Sequence, residues 1–347
     1  MKKITSYNKL CVTSEAILRH AMQRLNKSEY SFLVVLNNGE LLGTITDGDI
    51  RRAILKGYDL DSSVTKCMNN KPIISNLKEI KKHVDIFNSI PGITKFLPVI
   101  GSNNKLKYIL VKNRKKINKT ALIMAGGFGK RLGMKTHNTP KPLLKIGTVP
   151  LLETLLVKLE KANYTNIYVS VFYLHAKIVN FIKKRKSKAK INILIEEKPL
   201  GTAGCINIIS HEDFNTLTVI NGDIVSDINL EALTSFHIEK KNEITICVAK
   251  YINEIPFGTV ELDKKFNYQS MQEKPQTDHF VLSGIYCLNK NICKLVDGKY
   301  LDMPSLITNA NKLGNKIGVF PIYEYWKDIG TPKDFIFEVN RSKKKQI

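Results

Sequence analysis

Residues 120–132 read Thr-Ala-Leu-Ile-Met-Ala-Gly-Gly-Phe-Gly-Lys-Arg-Leu, an apolar run that leads directly into a glycine-rich loop. The run from Ala121 to Ala125 is typical of a buried strand. Gly126, Gly127 and Gly129 leave the backbone N–H groups of the loop open to a phosphate. The spacing fits neither the P-loop nor the Gly-x-Gly-x-x-Gly pattern. The stretch predicts a phosphate-binding loop after the first strand of an α/β domain, with a tight turn as the alternative.

Strand and helix patterns alternate after this loop. Alternation of this kind predicts an α/β fold of Rossmann-like type, with a mostly parallel sheet and helices on both faces. The predicted helices are 151–159 and 178–184, and the predicted strands are 167–172, 191–195 and 217–220. We expect the later strands 244–250, 258–262 and 284–288 to be antiparallel additions.

The first 113 residues contain a strand–turn–strand pattern twice, about sixty residues apart. The two copies begin at Phe32 and Phe96. An amphipathic helix face precedes the first copy, from Ile17 to Leu25, and a predicted helix from Leu77 to Phe87 precedes the second. Asp47-Gly48-Asp49 is typical of a turn and helix cap. The predicted domains are therefore 1–60, 61–113 and 120–347, with a linker at 114–119.

Composition bounds the classes of protein that the chain can form. Of 347 residues, 43% are hydrophobic, which excludes a disordered chain. The formal charge is +23, but the lysine runs lack interleaved stacking aromatics, so nucleic-acid binding is not favoured. Six scattered cysteines indicate neither a disulfide framework nor a zinc site. With no run of eighteen apolar residues, we expect a cytoplasmic protein without a membrane segment.

Several motifs in the second part of the chain occur in the order seen in one enzyme family. They are Gly-Gly-x-Gly-x-Arg-Leu from 126, Pro-Lys-Pro-Leu from 140, Glu-Glu-Lys-Pro-Leu-Gly-Thr-Ala-Gly from 196, Asn-Gly-Asp from 221, Phe-Gly-Thr-Val from 257, Glu-Lys-Pro from 273, Ser-Gly-Ile-Tyr from 283 and Trp-Lys-Asp-Ile-Gly-Thr-Pro from 326. The set resembles the sugar-1-phosphate nucleotidyltransferases and covers residues 120 to about 340.

The resemblance implies a reaction and the residues that carry it. A sugar phosphate oxygen would attack the α-phosphorus of a nucleoside triphosphate in line, and pyrophosphate would leave. Arg131 and Lys141 would be catalytic, by neutralising charge. Asp223 and Asp328 would hold the cofactor, Mg²⁺. The remaining implied contacts are Ala125, Gly126, Gly127, Gly129, Gly201, Thr202 and Ala203 for the nucleotide, and Asn221, Gly222, Glu273, Lys274 and Gly284 for the sugar phosphate.

The N-terminal repeat resembles a tandem pair of CBS domains. Gly43-Thr44-Ile45-Thr46-Asp47-Gly48-Asp49-Ile50 matches the Gly-x-Ile-Thr-x-x-Asp element of that family. The resemblance implies an adenine nucleotide at Thr46 and Asp49. The second copy lacks both residue types, so it is degenerate and one site is expected, with a purely structural pair as the alternative. CBS pairs bury a face against a partner, so a homo-oligomer is expected.

The two parts together resemble bacterial guanylyltransferases of surface-sugar pathways, including the glucosamine-1-phosphate guanylyltransferases of legionaminic acid synthesis. We therefore expect GTP and glucosamine 1-phosphate as substrates. The alternatives are mannose or heptose 1-phosphate, or a uridylyl- or thymidylyltransferase. An alternative from another class is a nucleotide-sensing regulator whose transferase domain is inactive.

Overall fold

The computed structural model describes residues 1–28, 30–91, 95–112 and 118–344. The chain divides into two compact units. The first comprises the described residues up to 112 together with 231–240, and the second comprises the rest. Most of the predicted linker, residues 114–117, lies outside the described residues.

In chain order the strands of the described residues are β1 (Lys2–Ile4), β2 (Cys11–Thr13), β3 (Phe32–Asn37), β4 (Glu40–Thr46), β5 (Ser75–Asn76), β6 (Phe96–Ile100), β7 (Leu106–Val111), β8 (Lys119–Met124), β9 (Lys145–Ile146), β10 (Val149–Pro150), β11 (Asn166–Val171), β12 (Lys190–Ile195), β13 (Thr216–Asn221), β14 (Ile224–Ser226), β15 (Ile244–Glu254), β16 (Thr259–Leu262), β17 (Tyr268–Gln272), β18 (Gln276–Asn289), β19 (Ile317–Ile322) and β20 (Trp326–Asp328).

The α-helices of the same residues are α1 (Leu18–Lys27), α2 (Asp47–Leu55), α3 (His83–Ser89), α4 (Leu151–Lys161), α5 (His175–Lys184), α6 (Ile206–Ile209), α7 (Leu230–Glu239), α8 (Lys290–Cys293), α9 (Met303–Lys312) and α10 (Pro332–Lys344). None of the helices described has the length and apolar character that a membrane crossing requires.

The first unit contains the repeat that the sequence predicts. In each copy a short strand precedes a helix and then pairs in parallel with the first strand of an antiparallel hairpin, giving the sheets β2-β3-β4 and β5-β6-β7. Strand β1 pairs with β7, so the first residues of the chain extend the sheet of the second copy. Apolar residues of both hairpins share one core, in which the rings of Phe32 and Phe96 stack 3.9 Å apart.

Two local predictions in this unit differ from the structure. Helix α2 already begins at Asp47, because Thr46 rather than an aspartate is its N-cap and forms a capping box with Asp49. The predicted helix from Leu77 starts as a 3₁₀ segment and becomes α-helical only at His83, since Glu79 has non-helical backbone angles.

The second unit is built on a seven-stranded sheet of order β12-β11-β8-β13-β18-β15-β19. The pairs β12–β11, β11–β8, β8–β13 and β15–β19 are parallel, whereas β18 is antiparallel to both of its neighbours. The mostly parallel α/β architecture is therefore confirmed. As expected of the later strands, β15 and β18 pair antiparallel, although β15 itself points the same way as β8 because the reversed strand β18 lies between β13 and β15. The predicted strand 258–262 forms a separate antiparallel hairpin, β16-β17.

Strand order places the functional edge. Strands β8 and β13 lie side by side at the sheet centre, and the chain order reverses there, from β12-β11-β8 on one side to β13 on the other. In open α/β sheets, ligands bind beyond the carboxyl ends of the strands at this switch point. Both strands are almost continuously buried, which makes their ends fixed anchors for the loops that follow.

Candidate active site

The glycine-rich loop leaves the carboxyl end of β8 and is held on both sides. The Ala125 N–H donates to the Ser170 carbonyl of β11 at 2.8 Å. Further along, the Thr136 hydroxyl donates to the carbonyls of Gly129 and Gly133. Apart from its two chain neighbours, no heavy atom of the described residues lies within 4 Å of the position that a Cβ on Gly127 would take, so this part of the loop is open to a ligand.

Two charged side chains meet where β8 and β13 end. The Lys141 ammonium lies 2.5 Å from Asp223 Oδ2, and the two side chains are only 11% and 23% exposed. Asp223 follows β13 through Gly222, whose N–H donates to the Met124 carbonyl at 2.9 Å. A Cβ on Gly222 would lie 2.7 Å from that carbonyl oxygen, so only glycine fits this crossing. The approach of the two chain segments fixes Asp223 at the switch point.

A second carboxylate reaches the same place through a small sheet. Strand β14, directly after Asp223, pairs with β20 so that Ile224 faces Asp328, and the Ile329 N–H donates to the Asp223 carbonyl at 3.1 Å. Burial, followed by the charge of Asp223, raises the pKa of Asp328, while the cations of Lys141 and Arg131 act in the opposite direction. The Arg131 guanidinium is exposed and lies beside Gly330.

The two carboxylates fit a hard divalent cation. Asp223 Oδ1 and Asp328 Oδ1 are buried and have no hydrogen-bond partner among the described residues. A buried anionic oxygen without a donor is costly, and a cation would satisfy both. Two carboxylates provide too few ligands for Mg²⁺ alone, so substrate phosphates and water would have to complete the shell.

Asn221, the last residue of β13, lies against Gly284 in the neighbouring strand β18. Gly284 has φ +73°, and a Cβ there would lie 2.7 Å from Asn221 Nδ2. The Asn221 Oδ1 is buried and unpartnered among the described residues. The Asn221 carboxamide is therefore held against Gly284, and its Oδ1 remains available as an acceptor two residues before Asp223.

The Gly201–Ala203 segment packs against the chain before α9. The Thr202 N–H and hydroxyl both reach Asp302 Oδ1, at 3.1 and 3.2 Å, and the same hydroxyl accepts from the Met303 N–H. A Cβ on Gly201 would meet the Leu301 carbonyl at 2.6 Å. Ala203 is 0% exposed. These contacts give the segment a packing role, and its contact with a nucleotide stays a prediction.

Glu273 and Lys274 follow the hairpin of β16 and β17. Both are exposed, directly after β17, and Lys274 has a left-handed φ of 46°. The Glu273 carboxylate lies against Gly258, with Oε2 2.9 Å from the position of a Cβ. Neither residue bonds to Asp223 or Asp328 within the part of the chain that the structure describes. Their role in holding a sugar phosphate stays a prediction.

A buried carboxylate next to the loop was missed by the sequence reasoning. Glu196 accepts hydrogen bonds from the Ser170 hydroxyl and from the Leu200 N–H, and its Oε1 lies 3.5 Å from the position of a Cβ on Gly126. It thus connects β11, the glycine-rich loop and the segment that leads to Gly201. The signal was present, because Glu196 directly follows a strand that parallels β8.

Thr46 and Asp49 satisfy each other in the first unit. The Thr46 hydroxyl and N–H both donate to Asp49 Oδ2, at 2.6 and 2.8 Å, and Asp49 Oδ1 pairs with Arg52 at 2.6 Å. The Thr46 N–H bond, together with the Asp49 N–H that donates to the Thr46 hydroxyl oxygen at 3.3 Å, forms the capping box of α2. The pair therefore has a structural role already, and nucleotide binding there stays a prediction.

Family models match both parts of the chain. The Nucleotidyl transferase model matches residues 120–346, so the chain belongs to the nucleotidyl transferase family. The CBS domain model matches residues 1–56.

Particular relatives are guanylyltransferases by name. The chain is 29% identical over 229 residues to "Mannose-1-phosphate guanyltransferase" of Debaryomyces hansenii, and 31% identical over 227 residues to the protein of the same name in Emericella nidulans. Each match covers 62% of this chain and 62% of the relative, so the chain spans less than two thirds of their length. HddC from Yersinia pseudotuberculosis, solved in complex with GMP-PN, is similar with a TM-score of 0.52 and 25% identity, over 64% of this chain and 99% of HddC.

Proposed function

We propose that this protein is a Mg²⁺-dependent nucleotidyltransferase that forms a GDP-sugar and pyrophosphate from GTP and a sugar 1-phosphate. The observation that carries the proposal is the cluster of Lys141, Asp223 and Asp328 at the carboxyl ends of β8 and β13, beside an open glycine-rich loop. Family membership supports the reaction class. When bound, Mg²⁺ would neutralise phosphate charge at the two aspartates.

The proposed chemistry needs no covalent intermediate on the protein. A phosphate oxygen of the sugar 1-phosphate forms a bond to the α-phosphorus of GTP, and the bond from that phosphorus to its β-bridging oxygen breaks. Pyrophosphate leaves with the electron pair. The loop N–H groups from Gly126 to Gly129 would cradle the triphosphate, and Arg131 and Lys141 would offset the charge that builds up on the leaving group.

Guanine and the sugar are separate parts of the proposal. The printed names of the relatives and the GMP-PN complex of HddC favour GTP over other nucleoside triphosphates. For the sugar, the fusion of a CBS domain to the transferase favours glucosamine 1-phosphate, of the legionaminic acid type of pathway. Mannose 1-phosphate is the alternative that the relatives' names support at least as well.

The specificity test is pyrophosphate release with Mg²⁺, for ATP, GTP, CTP and UTP crossed with glucosamine, mannose and N-acetylglucosamine 1-phosphates. We expect release with GTP and with glucosamine 1-phosphate in preference to the others. Release with GTP and mannose 1-phosphate would support the guanylyltransferase activity and overturn glucosamine 1-phosphate as the sugar substrate. Release with UTP alone would overturn GTP as the nucleotide substrate.

We further propose that the CBS repeat binds an adenine nucleotide at Thr46 and Asp49 and regulates the transferase, in a cytoplasmic homo-oligomer. Match of the CBS model to residues 1–56 supports this proposal. Calorimetric titration of the full chain with AMP and ATP tests it, with Asp49→Asn as the variant because an amide can still accept in the capping box. Unchanged binding by that variant would contradict the assignment of Asp49.

The inactive-regulator alternative makes a different prediction. If the transferase domain is inactive, wild type releases no pyrophosphate, and Asp223→Asn cannot lower that release further. If wild type transfers nucleotide and Asp223→Asn does not, the regulator alternative is wrong. Lys141 and both carboxylates are present and clustered, which favours the active enzyme.

A further inference from the structure

The hairpin of β16 and β17 has one apolar face that is open to solvent. Cross-strand register places Val260 opposite Met271 and Leu262 opposite Tyr268, so these four side chains share one face, called the hairpin face below. They are 52%, 65%, 51% and 66% exposed. The other face is polar, and there the Ser270 hydroxyl donates to Glu261 at 2.7 Å.

Two further aromatic residues are exposed at the turn and at the base of the hairpin. Phe266 lies in the turn with φ 65°, an unfavourable backbone conformation for an aromatic residue, and is 84% exposed. Phe257, just before β16, is 72% exposed. With about 200 Å² for a whole aromatic side chain, Phe257, Phe266 and Tyr268 together expose roughly 440 Å².

The apolar exposure around the hairpin is comparable with the largest apolar patch of a typical monomer, which is about 300–600 Å² and is often a functional surface. Each partner of a standard protein interface contributes about 800 Å². An isolated two-stranded hairpin is also only marginally stable in water and needs a further layer against its apolar face.

Charge indicates what the further layer is. Residues 250–282, the segment that carries the hairpin, contain four lysines and five carboxylates, a formal charge of −1 in a chain of +23. Two copies of this segment can approach each other without the repulsion that opposes self-association elsewhere on the chain. An anionic membrane would instead require a lysine-rich rim.

We propose that the hairpin face is a self-association surface, on which the hairpin of a second copy of this chain packs face to face. Two hairpins would then form a two-layered, four-stranded unit with the four apolar residues of each copy inside. An interface of this kind is isologous, so it closes as a dimer. The proposal is independent of the substrates in the proposed function.

The test is the molecular mass of the full-length protein, measured by sedimentation velocity at about 1 to 50 µM. These concentrations span the range in which a dimer with a micromolar Kd would dissociate. The variant is Tyr268→Glu with Met271→Glu, which adds two charges to the hairpin face. The matched control is Gln269→Glu with Gln272→Glu, which adds the same charge on the same strand away from that face. Circular dichroism and thermal unfolding check that each variant is folded.

We expect the hairpin-face variant to have half the mass of wild type, with the control unchanged. Hydrogen exchange should show the amides of β16 and β17 protected in wild type and control, and at least tenfold faster in the hairpin-face variant. A wild type that is monomeric throughout, or a hairpin-face variant with the mass of wild type, would overturn the proposal. A monomeric wild type whose hairpin amides become protected on adding anionic vesicles would assign the face to a membrane.

Discussion

Replacing Asp328 by asparagine should make the protein more stable and at the same time inactive. The Asp328 carboxylate is buried beside Asp223, its Oδ1 has no donor among the described residues, and its pKa is raised by burial and by its neighbour's charge. Keeping a buried, unsatisfied polar group costs about 1–3 kcal/mol. An amide has no charge to desolvate and can donate to Asp223 Oδ1, which is also unpartnered.

The magnitude follows from these costs. Relief of about 1–2 kcal/mol corresponds to a rise in Tm of roughly 2–8 °C for a unit of this size. Loss of one preorganised electrostatic group typically lowers kcat by about 10²–10³-fold. We therefore expect Asp328→Asn to have a higher Tm in metal-free buffer and at least a hundredfold lower kcat.

The assay is calorimetric unfolding in EDTA together with steady-state pyrophosphate release. The control is Asp334→Asn in α10, because Asp334 has stabilising partners: Lys327 at 2.8 Å and the Thr331 hydroxyl at 2.6 Å. The control should lose Tm and keep its turnover. If Asp328→Asn had a lower Tm than wild type, or a kcat within threefold of wild type, the assignment of Asp328 to a pair of buried, mutually repelling carboxylates that binds a cation would be wrong.

Three further results are expected. Gly284→Ala should lose about 2 kcal/mol of unfolding free energy in urea, because its φ is +73° and the new Cβ would meet Asn221 Nδ2. Gly127→Ala has open space around the new Cβ and should lose less than about 0.5 kcal/mol of unfolding free energy, whatever its effect on activity. Equal losses in the two variants would contradict the geometry. Lys141→Met should lower kcat/KM by about 10²–10³-fold, measured by pyrophosphate release, since it removes the cation beside Asp223; a change below threefold would count against its role. Arg185 donates to Glu160 and holds the pKa of that carboxyl down at about 2, below its ordinary value. The stability that the ionised Glu160 contributes is therefore full above about pH 4.5 and falls by about 1–2 kcal/mol, after solvent screening, as the pH drops towards 2. Arg185→Met should abolish that part of the pH dependence of the unfolding free energy, measured in urea titrations at pH 7 and 3.

The sheet and the glycine-rich loop could be predicted because their signals are local. A continuous apolar run ending in glycines defines β8 and its loop, and alternation defines the parallel strands around it. The direction of β15 could not be predicted, because it depends on a long-range pairing with β19 on one side and β18 on the other.

The site was predictable to the extent that motifs mark chain segments that converge. Asp223 and Asp328 lie 105 positions apart, and they are brought together by the pairing of β14 with β20 and by the hydrogen bond from the Ile329 N–H to the Asp223 carbonyl. Glu196 is the first residue of the motif quoted from 196 but received no role of its own, because its burial arises from Ser170 on another strand. The exposure of Glu273 and Lys274 could not be predicted either, since it depends on how the hairpin that precedes them is placed.

The most direct test of the central claim is mass spectrometry of the products formed from GTP and a mixture of sugar 1-phosphates in the presence of Mg²⁺. The account predicts a GDP-sugar and pyrophosphate in equal amounts, both absent in EDTA and with Asp223→Asn. Pyrophosphate or phosphate release without any nucleotide sugar, or unchanged product formation by Asp223→Asn, would contradict it.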